Sequence, residues 1–269
     1  MPRRLLIFFV LGVLVTLGVV RAAGESEGSA RDLVARSIAY HGGEIYTSAR
    51  SELLLCSKSG CSRLEVERDG GLYEYCATTK IEEGERRVCA TNDRVEEFVD
   101  GELVIGRVAA GESGPPGSPA DEARERQLRD WVMARVYFVF LPSRLEDPSV
   151  RLEDLGSEDW EGRSLRKIKV TFEPGTSTDS DDEFLYWFDP ATARLEQFAY
   201  SYERNGGGLR FRRLTNYRRE GGILFFDQEN FGTEGPGLTV EKITSVYVEE
   251  AMRHVSTIEL NDIEVTALE

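Results

Sequence analysis

From Asp182 to Val265 apolar and polar side chains come in short runs broken by turn residues, a pattern that predicts consecutive antiparallel strands. Phe184 to Phe188, Leu195 to Tyr202, Leu209 to Arg218 and Ile223 to Phe226 are separated by Asp189-Pro190, Asn205 to Gly208 and Gly221-Gly222. Beyond Gly235-Pro236-Gly237 two long strands are expected, Leu238 to Val248 and Val255 to Val265. Side chains alternate across a strand, so Phe198, Tyr200 and Tyr202 share one side. The same alternation sets Leu209, Phe211, Thr215 and Tyr217 against Arg210, Arg212, Asn216 and Arg218. The expected sheet has one apolar, aromatic face and one wet face. Its apolar phase slips between Leu260 and Ile263, which requires a bulge or bend near Asn261-Asp262.

Upstream, Ser29 is a good N-cap for a short helix whose stripe is Leu33, Val34, Ser37 and Ile38, and Gly42-Gly43 stop it. Short strands follow from Ile45 to about Arg107: Leu53 to Cys56, Leu64 to Val66, Leu72 to Tyr75, Val95 to Val99 and Leu103 to Ile105. Gly111 to Pro119 reads as an exposed loop. A helix from about Ala120 to Phe140 then carries Leu128, Trp131, Val132, Val136, Val139 and Phe140 on one broad stripe. Leu141-Pro142 ends it, and the chain passes through Leu152, Leu155 and Trp160 into a strand from Ser164 to Phe172. Helix, strands, helix, strands is an order with too few helices to alternate with a parallel sheet. The fold class is α+β, mainly β.

The start of the chain carries an export signal. Arg3-Arg4 precede the uncharged run Leu5 to Val20, and Val20-Arg21-Ala22 is a small-residue cleavage site, so residues 1–22 are expected to be removed and 23–269 to form one domain. An uncleaved inner-membrane anchor is the alternative. Export makes the cysteines interpretable. Cys56 and Cys61 flank one expected hairpin tip, and Cys76 and Cys89 flank a turn around Glu82 to Gly84. Two local disulfides are the economical pairing, although four cysteines permit three connectivities. A tetrathiolate zinc site competes, but the close pairs that mark such sites are absent.

Charge removes one class of partner. The formal net charge is -15, so a polyphosphate backbone is not expected as a ligand, and no nucleic acid is predicted. Motifs remove others: there is no Gly-x-Ser-x-Gly elbow, no phosphate loop and no His-Glu-x-x-His pair. No catalytic residue, metal ligand or cofactor is predicted. His41 and His254 are the only histidines; the first is expected to hydrogen-bond beside the helix stop, the second to lie on the surface. The alternating acids Asp179 to Glu183 suit a solvated hairpin tip better than a calcium loop. Arg210, Arg212, Arg213, Arg218 and Arg219 form the one basic cluster, assigned to the wet face.

Three short texts carry a resemblance. They are Ile38-Ala39-Tyr40-His41-Gly42-Gly43, Trp187-Phe188-Asp189-Pro190-Ala191-Thr192 before the strand containing Leu195, and Tyr217 to Phe226 with Gly221-Gly222 at its turn. With the order of elements, they resemble uncharacterised secreted bacterial relatives of the periplasmic lipoprotein-carrier (LolA/LolB-like) superfamily. The resemblance spans roughly Ser29 to Val265 and implies a large curved antiparallel half-barrel covered by an N-terminal helix and a mid-chain helix. It also implies a periplasmic or secreted, non-enzymatic protein that binds a lipid, an acyl chain or a lipidated protein, contacts a membrane surface and acts as a monomer. The apolar groove is assigned to Trp131, Val132, Val136, Phe198, Tyr200, Tyr202, Phe211 and Tyr217, between the sheet and the second helix. A cell-envelope interaction domain with a filled core is the alternative, and a secreted hydrolase built on dispersed carboxylates a third.

Overall fold

The computed structural model describes residues 30–82, 84–105, 119–173, 182–203 and 206–268. The leader, the expected cap Ser29, the loop residues 111–118 and most of the acidic run at 179–181 lie outside the described residues. A first helix, α1 (residues 30–41), leads through a 3-10 turn (Gly43–Thr47) into six strands. These are β1 (Ser48–Ser57), β2 (Gly60–Asp69), β3 (Leu72–Ile81), β4 (Gly84–Thr91), β5 (Val95–Val99) and β6 (Glu102–Ile105). The long helix α2 (Pro119–Val139) separates them from β7 (Val150–Trp160), β8 (Arg163–Phe172), β9 (Phe184–Phe188), β10 (Leu195–Tyr202), β11 (Gly208–Glu220) and β12 (Ile223–Glu234). A short helix α3 (Ser245–Ala251) and the strand β13 (Arg253–Ala267) complete the chain.

All thirteen strands form one antiparallel sheet in the order β6-β5-β4-β3-β2-β1-β13-β12-β11-β10-β9-β8-β7, an open, curved half-barrel. Two meanders are joined by the last strand. The first half of β13 pairs with β12 and its second half with β1, so a single 15-residue strand splices the two. The expected bulge lies a few residues past the change of partner, within the β1 pairing: the register shifts opposite Glu52 and Leu54, and Asp262 takes φ 49°. The tight turn between β11 and β12 needs both its glycines. Gly221 and Gly222 have φ 52° and 92°, and a Cβ at either position would lie 2.5 Å from Val265 or 2.4 Å from Ile45.

Three predicted elements are corrected. Leu238 to Val248 is not a strand: a 3-10 turn (Val240–Lys242) is followed by α3, whose N-cap Thr244 accepts a hydrogen bond from the Tyr247 backbone N–H through its hydroxyl at 3.1 Å. The passage through Leu152 and Leu155 is the edge strand β7, bulged at Gly156; its charged residues Arg151, Glu153 and Asp159 suit an unpaired sheet edge. β4 was not anticipated as a separate strand. Its arginines and glutamate hide a buried run, Val88 to Ala90. Both disulfides join directly opposite residues, Cys56 to Cys61 across β1 and β2 and Cys76 to Cys89 across β3 and β4, which fits export to an oxidising compartment.

The sheet is apolar on both faces in its second half, which overturns the expected single wet face. On the inner, helix-covered face α2 packs Leu128, Val132, Val136, Val139 and Phe140 against Leu64, Val66, Tyr75, Val88 and Phe225 of the first meander and its neighbours. α1 packs Leu33, Val34 and Ile38 against Ile168, Tyr186, Phe188, Phe198 and Phe226 of the second meander. On the outer face Trp160, Leu165, Trp187, Leu209 and Phe211 are covered by Val240, Ile243, Val248 and Met252 from the segment before β13. That segment became a cover instead of a strand because its apolar residues have a face of their own to bury. Among the described residues no helix is long and apolar enough to cross a membrane.

Candidate functional site

The register of β10 and β11 decides which side chains meet under α2. Phe198 lies opposite Arg212, Tyr200 opposite Arg210 and Ala199 opposite Phe211. Directly opposed residues of an antiparallel pair point to the same side. Arg212 therefore shares the inner face with Phe198, and Phe211 is turned outward. Strand alternation by itself had placed them the other way. Past Thr215 a bulge with Asn216 at φ 50° reverses the phase again, and Tyr217 returns to the inner cluster, its hydroxyl donating to the Leu195 carbonyl at 2.7 Å.

The eight residues assigned to the groove are consequently divided. Val132 and Val136 are fully buried against the first meander, with Trp131 half-buried on the helix flank between the guanidinium groups of Arg135, at 3.7 Å, and Arg86, at 5.0 Å. Desolvation lowers the Arg135 pKa to about 10, helped by the charge of Arg86. Phe198, Tyr200 and Tyr217 belong to the second-meander cluster. Tyr202 stands near the lip, where a hollow of about 510 Å³ is also lined by Glu183, Gly207 and Leu238. Phe211 is the correction: it stacks on Trp160 at 5.1 Å on the outer face.

Two turn-adjacent residues near the end of α2 connect the halves, and neither was singled out from the sequence. Phe138 stacks on Phe198 at 5.5 Å and Tyr200 at 5.6 Å. Tyr137 shares a 2.8 Å hydrogen bond with the hydroxyl of Tyr186; burial raises the pKa of both, that of Tyr137 to about 12, so both stay neutral. Phe138 and Tyr137 fall between the positions of the assigned stripe. A helix that touches two sheet regions needs a wider apolar arc than one stripe, and Tyr137-Phe138 beside Val136 and Val139 is the signal of that width.

Polar side chains sit among these rings. Arg212 is 9% exposed, donates to Gln228 Oε1 at 2.7 Å and to the Tyr200 hydroxyl at 3.2 Å, and lies 4.6 Å over the Phe138 ring. Gln228 in turn donates to the Phe138 carbonyl at 2.9 Å, which ties α2 to β12. Asn230, opposite both Arg212 and Ser256, donates to the Ser256 hydroxyl at 3.2 Å. The Nε of Arg212 and the Oδ1 of Asn230 are buried without a hydrogen-bond partner. Arg213 and Arg218 have carboxylate partners, Glu161 and Asp227; among the described residues Arg212 has none.

His41 behaves as expected at the helix stop and more tightly. It is fully buried, its Nε2 accepts from the Leu195 backbone N–H at 3.1 Å, and desolvation, with the charges of Arg219 and Arg194, lowers its pKa to about 3. His254 is exposed against Phe231. A second hollow, about 210 Å³, lies between the end of α1 and Ser143 to Asp147, with Tyr46, Arg68 and Arg144 in its lining. Neither of the two hollows lies between α2 and the sheet.

An open antiparallel half-barrel with helices laid on its inner face defines the class of fold. The chain belongs to a family of unknown function (DUF6503), which matches residues 124–260, from α2 into β13. Similar solved structures include a LolA superfamily protein from Nitrosomonas europaea, at 11% identity and TM-score 0.48 over 89% of this chain and 94% of that one. A DUF1329 family protein from Desulfovibrio piger is 12% identical with TM-score 0.49, over 89% and 92%. No curated protein matches the chain in sequence.

Proposed function

We propose that the protein is an exported, non-enzymatic carrier that holds an acyl chain, a lipid or a lipidated protein between the inner face of the sheet and α2, after removal of the leader. The observation that carries this reading is the inner face itself. Aliphatic and aromatic side chains from both meanders converge on one helix, and the polar ties of its last turns to the sheet are the Gln228–Phe138 and Tyr137–Tyr186 hydrogen bonds. An apolar chain entering there would exchange helix contacts for its own. Its desolvation contributes about 0.8 kcal/mol for each buried methylene.

A second reading, an envelope interaction domain with a filled core, is favoured by the absence of exposure at Tyr186 and Phe198 and by the ring of Phe138 stacked on the latter. Native mass spectrometry with organic extraction, on the chain exported to a bacterial periplasm, separates the two. The carrier reading expects a discrete added mass that extracts as lipid. A chain that is bare as isolated, and stays bare after incubation with phospholipid and acylated peptide, refutes it.

A further inference from the structure

A buried guanidinium without a counter-charge is an expensive feature. Desolvating a cation costs several kcal/mol, and an ion partner or a full set of acceptors normally offsets that cost. Arg212 has neither. Its acceptors are the neutral oxygens of Gln228 and Tyr200, its Nε is unsatisfied, and the charge rests on the Phe138 ring. The neighbouring Arg210 is engaged differently, lying 4.7 Å over Tyr202 and 3.8 Å from Glu234. Gly232 makes room for it, since a Cβ there would sit 2.6 Å from the Arg210 Nη1. The inner face between β10 and β12 thus holds one uncompensated positive charge, fenced by aromatic rings.

We infer that Arg212 receives the acid end of the carried molecule, a single carboxylate on an apolar chain. The inference rests on the carrier reading and adds the class of ligand to it. One buried cation matches one negative charge; a doubly charged phosphate would leave a surplus charge in the same dry place. The carboxylate takes the free N–H groups of the fork in charge-assisted hydrogen bonds, with the Tyr200 hydroxyl beside it. The chain lies along Phe198 and Phe184, and the half-buried Phe138 is the ring that moves aside to admit it.

The test is calorimetric titration of the periplasmically expressed chain, stripped of extractable lipid, with hexadecanoate and with hexadecanol. The acid is expected to bind at least about tenfold more tightly than the alcohol, since a hydrogen bond to a charged group is worth more than one to a neutral group. In Arg212→Gln the ratio should fall to about one while the alcohol keeps its affinity. Should that variant not fold, Tyr200→Phe, which keeps the ring and loses one polar neighbour, should reduce the ratio and leave the alcohol unaffected. Equal affinities for acid and alcohol in the unmodified chain would overturn the role of Arg212 and leave the carrier reading standing. Binding of neither would overturn both. Displacement of hexadecanoate by millimolar inorganic phosphate, without any chain, would also overturn the inference, by showing a site for free oxyanions.

Discussion

The two faces of the β9 to β12 sheet are built from the same residue types and differ in what they leave unsatisfied. On the outer face Trp160, Trp187 and Phe211 are sealed by Val240, Ile243, Val248 and Met252, a cover that is part of the same chain and follows β12 directly. The Trp187 indole donates to Glu158 at 2.6 Å, and the unpartnered side-chain atoms there among the described residues, Trp160 Nε1 and the Nε2 of Gln197 opposite Trp187, are neutral. On the inner face the cover is α2, distant in sequence, and beneath it lie a guanidinium that has neutral acceptors but no counter-charge and whose Nε has no partner, and the unpartnered amide oxygen of Asn230. Packing is a sufficient explanation for the first face. For the second it is not, because an apolar residue at position 212 would fill the same space without burying a charge.

The largest expected effects come from truncating each face. Phe198→Ala and Phe211→Ala should each destabilise the protein by about 3–5 kcal/mol in urea unfolding, as for other fully buried phenylalanines. Only the first should change lipid retention at a temperature where both variants stay folded; equal loss of retention would erase the distinction between the faces. The inner side is also expected to be acid-sensitive. His41 is neutral in the folded state with a pKa of about 3 against 6.5 for the free side chain, so the unfolded chain binds a proton that the folded chain refuses. Its contribution is complete above pH 6.5 and is lost as pH falls toward 3, on the order of 4 kcal/mol across that window. In His41→Gln, which keeps an acceptor for the Leu195 N–H, the urea midpoint should change less between pH 7 and pH 4 than in the unmodified chain.

Breaking the Cys76–Cys89 bridge, by substituting both residues with alanine, probes the other meander. With the two cysteines 13 positions apart in sequence, its loss should cost about 3 kcal/mol in the chain-entropy picture, without altering lipid retention at matched stability. The smallest stability effect is expected at the residue proposed to matter most for binding. Arg212→Met removes an uncompensated charge and keeps the volume, so the empty chain should be unchanged within about 1 kcal/mol or be stabilised. A loss of several kcal/mol would make Arg212 a structural element of the core, like the residues of the outer face.

Much of the architecture could be read along the chain because it depends on local patterning. The glycine turns, the apolar stripe of α2, the bulge at Asp262 and the pairing of nearby cysteines each follow from steric or periodic rules acting over a few residues. The apolar spacing of Leu238 to Val248 suits a strand edge as well as a folded cover; burial on the outer face chose the cover. The groove was partly legible for a related reason. Val132, Val136, Phe198 and Tyr200 announce themselves by size and hydrophobicity, while Arg212 and Gln228 look like solvated positions.

Composition and periodicity therefore determined a mainly β chain with two covering helices, two disulfide hairpins and a surplus of aromatic residues in its last third. Which way each strand faces was decided only in three dimensions. Alternation defines two sets of side chains but not which set points inward, and pairing between β10 and β11 sets that choice by placing Arg212 beside Phe198 and turning Phe211 out. The bulge at Asn216 then reverses it for Tyr217. A side chain's surroundings come from residues distant in sequence, and so the buried charge under α2 became visible only when Phe138, Tyr200 and Gln228 were brought around it.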